Sequence, residues 1–167
     1  SAKIGVAVFK FLNVEGNSLA LSSGTNSHDS NGRYTTNFQP ISLNLAYTID
    51  GFMSIPRTKI LYEYLDNREV TNDNWGFSLT GIAGDKLLKK GNKQFVGQVV
   101  YVEKDAWLDI LLKSENFSGG THLYLIKTGL NYGVTDKVTM ELFYHYANKL
   151  DSDETQHLAK INTTIKF

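Results

Sequence analysis

Apolar and polar residues alternate with a period of two along most of this chain. Val138, Met140, Leu142, Tyr144 and Tyr146 interleave with Thr139, Glu141, Phe143, His145 and Ala147. The segment before it repeats the pattern, with Tyr124, Ile126, Thr128, Leu130 and Tyr132 set against Leu125, Lys127, Gly129, Asn131 and Gly133. Residues 134–137 between them form a short polar connection suited to a hairpin. Ile41, Leu43, Leu45, Tyr47 and Ile49 alternate in the same way, as do Trp75, Phe77, Leu79, Gly81 and Ala83. Strand side chains point to opposite faces in turn, so each run presents one apolar face. Helical spacing fits none of them. The pattern predicts strands near 3–11, 39–49, 57–66, 74–83, 94–104, 121–134, 138–148 and 156–167. That is an all-β, antiparallel up-and-down fold of about eight strands in a single domain over 1–167. Two segments leave ten strands open: Trp107, Leu108, Ile110, Leu111 and Leu112, and residues 17–22.

The sense of the two faces matters next. In a soluble, lipocalin-like barrel the apolar face points inward; in a membrane-spanning barrel it points to lipid, with aromatic residues at both ends of the apolar band. Tyr47, Tyr64, Trp75, Tyr132, Tyr144 and Tyr146 are the candidate aromatic girdle. The opposite faces carry glycine, amide and charged residues. Connections alternate between short (50–56, 134–137) and longer polar ones (12–38, 66–74, 149–156), as expected if one side of a membrane carries turns and the other loops. These features predict a transmembrane β-barrel. The soluble lipocalin-like ligand-binding barrel stays as the alternative, without a Gly-x-Trp signature near the start.

The last strand places Ala159, Ile161, Thr163, Ile165 and Phe167 on one face. With its terminal phenylalanine it resembles the assembly signal of Gram-negative outer-membrane β-barrel proteins, although Ile165 stands where an aromatic residue is more frequent. The hairpin over 130–140 is similar to the penultimate periplasmic hairpin of that superfamily. The resemblance implies a bacterial outer-membrane location and surrounding outer-membrane lipids. It also implies the barrel-assembly machinery as a partner, reading Ile161, Ile165 and Phe167. The start at Ser1-Ala2-Lys3 reads as a processed form, or as part of a longer porin.

Composition narrows the classes further. The chain has 17 basic and 17 acidic side chains and no cysteine. A balanced charge argues against nucleic-acid binding, which needs surplus Lys and Arg. Without cysteine there is no disulfide framework, thiolate metal site or thiol nucleophile. No cofactor motif is present, and the histidine spacing supports no metal site.

An eight-stranded lumen is narrow enough to be filled by side chains. Lys59, Glu63, Lys127, Glu141, His145 and Lys160 form the candidate lumen charge network, with Lys127 opposite His145, Asn131 opposite Glu141, and Glu141 opposite Asn162. Such a network reads as an ion-pair plug in a structural or interaction barrel, or as a constriction passing small polar solutes or ions, in a monomer or an oligomer. His28-Asp29-Ser30 resembles the His-x-Ser segment of outer-membrane phospholipases and lipid A deacylases. By that resemblance His28 is the base, Ser30 the nucleophile and Asn37 the orienting group of a lipid-ester hydrolase. The bland alternative is a Ser/Gly/Asn loop, and no catalytic set is favoured over it. The basic run from Lys86 to Lys90, with Lys93, reads as a solvated turn that in an envelope could hold lipid phosphates.

Overall fold

The computed structural model describes residues 1–86, 89–111, 116–117 and 120–166. Eight antiparallel strands form one sheet in chain order: β1 Ala2–Val8, β2 Pro40–Phe52, β3 Ile55–Asn67, β4 Trp75–Gly84, β5 Lys93–Val102, β6 Leu123–Gly133, β7 Val138–Lys149 and β8 Thr155–Ile165. Each strand pairs with its sequence neighbour, so the topology is the expected up-and-down meander. Among the described residues β1 and β8 remain the two edges.

The sheet curls strongly. A single cavity touches Glu63 on β3 and Lys160 on β8, so strands far apart in the meander face one another across the concave side. Short connections lie at one end: residues 53–54, 85–92 and 134–137. We call this the turn end; β1 starts there and β8 finishes there. The other, the loop end, carries residues 9–39, 68–74, 103–122 and 150–154.

The strand count is the expected eight, and the two segments that left ten open are loop among the described residues. Trp107 meets Phe9 and Phe11 edge-on at 5.0 and 5.7 Å, and Leu108 is buried with Val14, Tyr34 and Phe38. Residues 109–111 make one 3-10 turn. These apolar residues pack onto another loop, so they never need a strand partner. Leu112 lies outside the described residues.

The register agrees with the hairpin reading: Lys127 pairs with His145, Asn131 with Glu141, and Glu141 with Asn162. Apolar residues occupy the convex face, where Ile4 is 76%, Phe95 62% and Ile161 67% exposed. On the concave face, Phe143 lies flat against Gly129, where any Cβ would run into its ring. The Lys127 ammonium sits 3.9 Å from the centre of that ring. This aromatic–cation contact joins β6 and β7 on the concave face at mid-height.

Gly129→Ala should destabilise the folded protein by about 2 kcal/mol, because a well-packed site cannot absorb the added methyl without moving Phe143. Denaturant unfolding measures this. The double variant with Phe143→Leu should recover most of the loss, and a cost that persists unchanged would refute the proposed contact.

Candidate functional site

The candidate site is the concave chamber together with the loops that roof it. Inward-facing Val102, Leu123, Leu125 and Ala147 form a buried apolar cluster with Ala106, joined by Val100 and Phe117. Ala106 and Phe117 belong to the 103–122 loop, which therefore dips into the loop end of the chamber. Below this roof lies a cavity of about 500 Å³ touching Glu63, Lys127, Glu141, His145, Lys160 and Asn162.

Five of the six anticipated lumen charges thus surround one space. Lys59 faces the same side nearer the turn end, opposite Thr48 and Ile82, and does not border the cavity. Asn162 donates to Glu141 (3.4 Å), and the Ser42 hydroxyl donates to Glu63 (3.4 Å). His145 is 4% exposed, and its Nδ1 lies 3.3 Å from the Asn116 side-chain nitrogen. Lys127 is engaged with the Phe143 ring. The chamber has an apolar ceiling and charges of both signs below it.

The roof is held by two buried aspartates that the alternation pattern does not reveal. The Asp109 carboxylate, in a residue 2% exposed, accepts hydrogen bonds from Tyr34 Oη (2.6 Å), Ser22 Oγ (2.8 Å), Ser23 Oγ (3.1 Å) and the Thr25 amide (3.2 Å). Asp105 accepts from the Ser27 amide (2.9 Å) and hydroxyl (2.6 Å). Asn26 works in the other direction, donating to the Lys104 and Trp107 carbonyls and accepting from the Asp109 amide (2.8 Å). Asn67, also buried, donates to the Asp105 carbonyl (2.9 Å) and ties this assembly to the end of β3. Loop 9–39 is thereby clamped onto loop 103–122. The available signal in the sequence is acidic residues interrupting an apolar run at 105–111, which solvated loops do not need.

Burial pushes the Asp109 carboxyl up, and the hydrogen bonds from Tyr34, Ser22, Thr25 and Ser23 outweigh it, leaving it below its ordinary value of 3.8. Tyr34 moves upward, through burial and then the Asp109 contact.

The His-x-Ser residues are not assembled as a catalytic set. His28 Nδ1–H donates to the Asn26 carbonyl (2.8 Å), and its ring packs on Tyr34 at 4.4 Å. Ser30 is exposed in a turn that Asp29 organises by accepting from the Asn31 and Arg33 amides (2.8 and 2.9 Å). Asn37 is bound to Glu15 through both side-chain atoms. Among the described residues no hydrogen bond joins His28 to Ser30 or Asn37. His28 serves the cap, as one rung of a short hairpin with Tyr34.

On the convex face, Tyr64 and Trp75 stack at 6.3 Å near the loop end, and Trp75 continues to Phe77 and Tyr101. Phe77 and Tyr101 extend this ring stack beyond the six aromatic residues singled out from the sequence. Tyr146 meets the His157 ring at 5.3 Å, and Tyr144 Oη lies 2.6 Å from His157 Nδ1. Tyr144 is nearer mid-strand than the rest. Tyr132 lies at the turn end and Tyr47 one residue from the middle of β2, and both are exposed. Ile161 and Ile165 face outward on β8, and Phe167 lies outside the described residues.

The chain matches no protein-family model, no curated protein and no solved structure.

Asp109→Ala should loosen the cap by about 3 kcal/mol, since it strands the buried Tyr34 hydroxyl and removes charge-assisted bonds. Faster tryptic cleavage after Arg33 reports it, and an unchanged rate would show the clamp to be dispensable. Acid gives a second handle. Because the folded value is depressed, the ionised carboxylate stabilises the cap fully above pH 3.8, and that contribution fades as pH falls below it. Trp107 emission in a Trp75→Phe background should therefore change below pH 3.8. Asp109→Asn should flatten that response.

Proposed function

We propose that the protein is a small integral β-barrel of a bacterial outer membrane. Its lumen is partly filled by its own side chains, its loop end is roofed by a folded cap, and it serves as a structural or interaction barrel. The observation that carries this reading is the polarity of the sheet: large apolar side chains stand exposed on the convex face while charged ones line the concave face. A soluble lipocalin-like barrel requires the reverse, because its core is the concave side. The aromatic stack at the loop end and the exposed Tyr132 at the turn end suit the two interfacial belts of a lipid-facing wall. No helix among the described residues is long and apolar enough to cross a membrane, and a barrel needs none.

In lipid the edges of β1 and β8 cannot stay unpaired, since backbone groups in hydrocarbon have no water to bind. We infer that the two strands pair with each other there. The apolar ceiling, the Lys127–Phe143 contact and the charges around the chamber favour a lumen partly filled by its own side chains over an open pore for solutes or ions.

The purified protein, run unboiled beside boiled, should shift in gel mobility and show no steady conductance in a planar bilayer. A stable unitary conductance would replace the filled lumen with a porin. Solubility without detergent and no shift would replace the membrane wall with a ligand-binding barrel. Amide exchange in β1 and β8 should be as slow as in β4 and β5; fast exchange confined to the edge strands would mean an open sheet.

A further inference from the structure

The zero net charge conceals a separation of charge along the barrel axis. At the loop end, acids such as Asp66, Glu69, Asp73, Glu103, Asp151 and Glu154 outnumber the cations Lys10, Arg33, Arg68, Lys104 and Lys149, of which Arg68 and Lys149 pair with Asp66 and Glu154. At the turn end stand Lys89 and Lys90 in the second turn, Lys93 opening β5, Lys137 in the third turn and Lys166 just past β8. All five are exposed.

Backbone hydrogen bonds gather these lysines from separate connections. The Gly91 amide donates to the Gly133 carbonyl (2.8 Å), and the Gly133 amide donates to the Asn92 carbonyl (3.0 Å). The Lys166 amide donates to the Lys137 carbonyl (2.9 Å). A side chain at position 133 would overlap the Lys89 carbonyl, so glycine there lets the second turn lie across the end of β6. None of the nearby acids is ion-paired with these lysines among the described residues. Asp85 accepts the Lys93 amide (2.7 Å) and Asp136 the Lys90 amide (3.2 Å). Asp50 is taken by Arg57 and Lys86. Among the described residues, none of the five lysine ammonium groups forms an ion pair.

The rim adjoins apolar wall. Lys93 pairs directly across from Tyr132 and shares its face of β5 with Phe95. Val134 and Ile165 are exposed at the same end. Lysines that continue an apolar, lipid-facing stripe suit a ligand with an anionic head and hydrocarbon tails. A free phosphate or a soluble polyanion would make no use of that stripe.

We propose that this rim binds anionic phospholipid of the leaflet at the turn end. The phosphodiester accepts hydrogen bonds from the ammonium groups of Lys89, Lys90, Lys93 and Lys137, and the acyl chains lie along Phe95, Tyr132 and Ile165. The site rests on the membrane-barrel reading above. It also gives the barrel an orientation-dependent lipid preference, because the opposite end is acidic.

The test offers equal amounts of phosphatidylglycerol and phosphatidylcholine to the whole protein in mild detergent and counts retained lipids by native mass spectrometry. The wild type should retain phosphatidylglycerol about tenfold more. The Lys89→Gln/Lys90→Gln/Lys93→Gln/Lys137→Gln variant, checked for its heat-dependent gel shift, should retain the two equally. Lys10→Gln/Lys104→Gln at the loop end should keep the preference. Equal retention by the wild type, or an undiminished preference in the quadruple variant, would overturn the site. Displacement of the lipid by millimolar inorganic phosphate would reassign the site to free phosphate and overturn the phospholipid assignment. If the wild type shows no heat-dependent shift and is soluble without detergent, the membrane reading itself fails, and the site with it.

Discussion

Backbone hydrogen bonding and the two-residue period of a strand together constrain everything else in this molecule. Once the ladders from β1 to β8 are made, every second side chain must leave on the same face. Here the convex face takes Ile4, Leu45, Leu79, Phe95, Leu142 and Ile161. Charge within the strands is consequently displaced to the concave side, and the remaining charge to the two ends. The concave side accommodates it with local partners, as in Lys127 over Phe143, Asn162 on Glu141 and Ser42 on Glu63. Gly129 belongs to the same solution, because the Phe143 ring occupies the space its side chain would need.

The loop end solves a different problem. Residues 9–39 are rich in serine, glycine and asparagine and contain too few apolar groups to fold alone. They are ordered by the other loop. The Asp109 carboxylate collects donors from Ser22, Ser23, Thr25 and Tyr34, and Val14, Tyr34 and Phe38 then close over Leu108. Ala106 and Phe117 of the same loop enter the apolar ceiling, so cap and lumen are mechanically continuous. A loosened Asp109 cluster would be felt at the chamber through this contact. Both loops build the cap, and His28 is drawn into it rather than toward Ser30.

At the turn end the connections are short and Asp85 and Asp136 accept main-chain amides, while cationic side chains project beyond an apolar wall. The two ends therefore differ in kind, one closed over buried carboxylate and one bearing exposed ammonium groups. A chain with balanced overall charge can sustain this because the strands hold the two populations apart.

The strands, their faces and the registers of the last two hairpins were legible in the sequence. A period-two pattern is a local signal, and a short turn fixes which residues oppose each other. Lys127 facing His145 and Asn131 facing Glu141 follow from counting back from residues 134–137, and Glu141 facing Asn162 from the connection after Lys149. The cap was not legible. Its bonds join residues far apart in the chain, with 83 positions between the Asp109 amide and Asn26 and 75 between Asp109 and Tyr34. Nothing periodic relates such positions, and the apolar run at 107–111 looks the same whether it becomes a strand or packs onto a distant loop. The gathering of lysines from the second turn, the third turn and the end of β8 was hidden for the same reason. Local alternation determined the sheet and its two faces; only the folded chain decided which loops meet, because those choices depend on packing and hydrogen bonding across the whole length of the sequence.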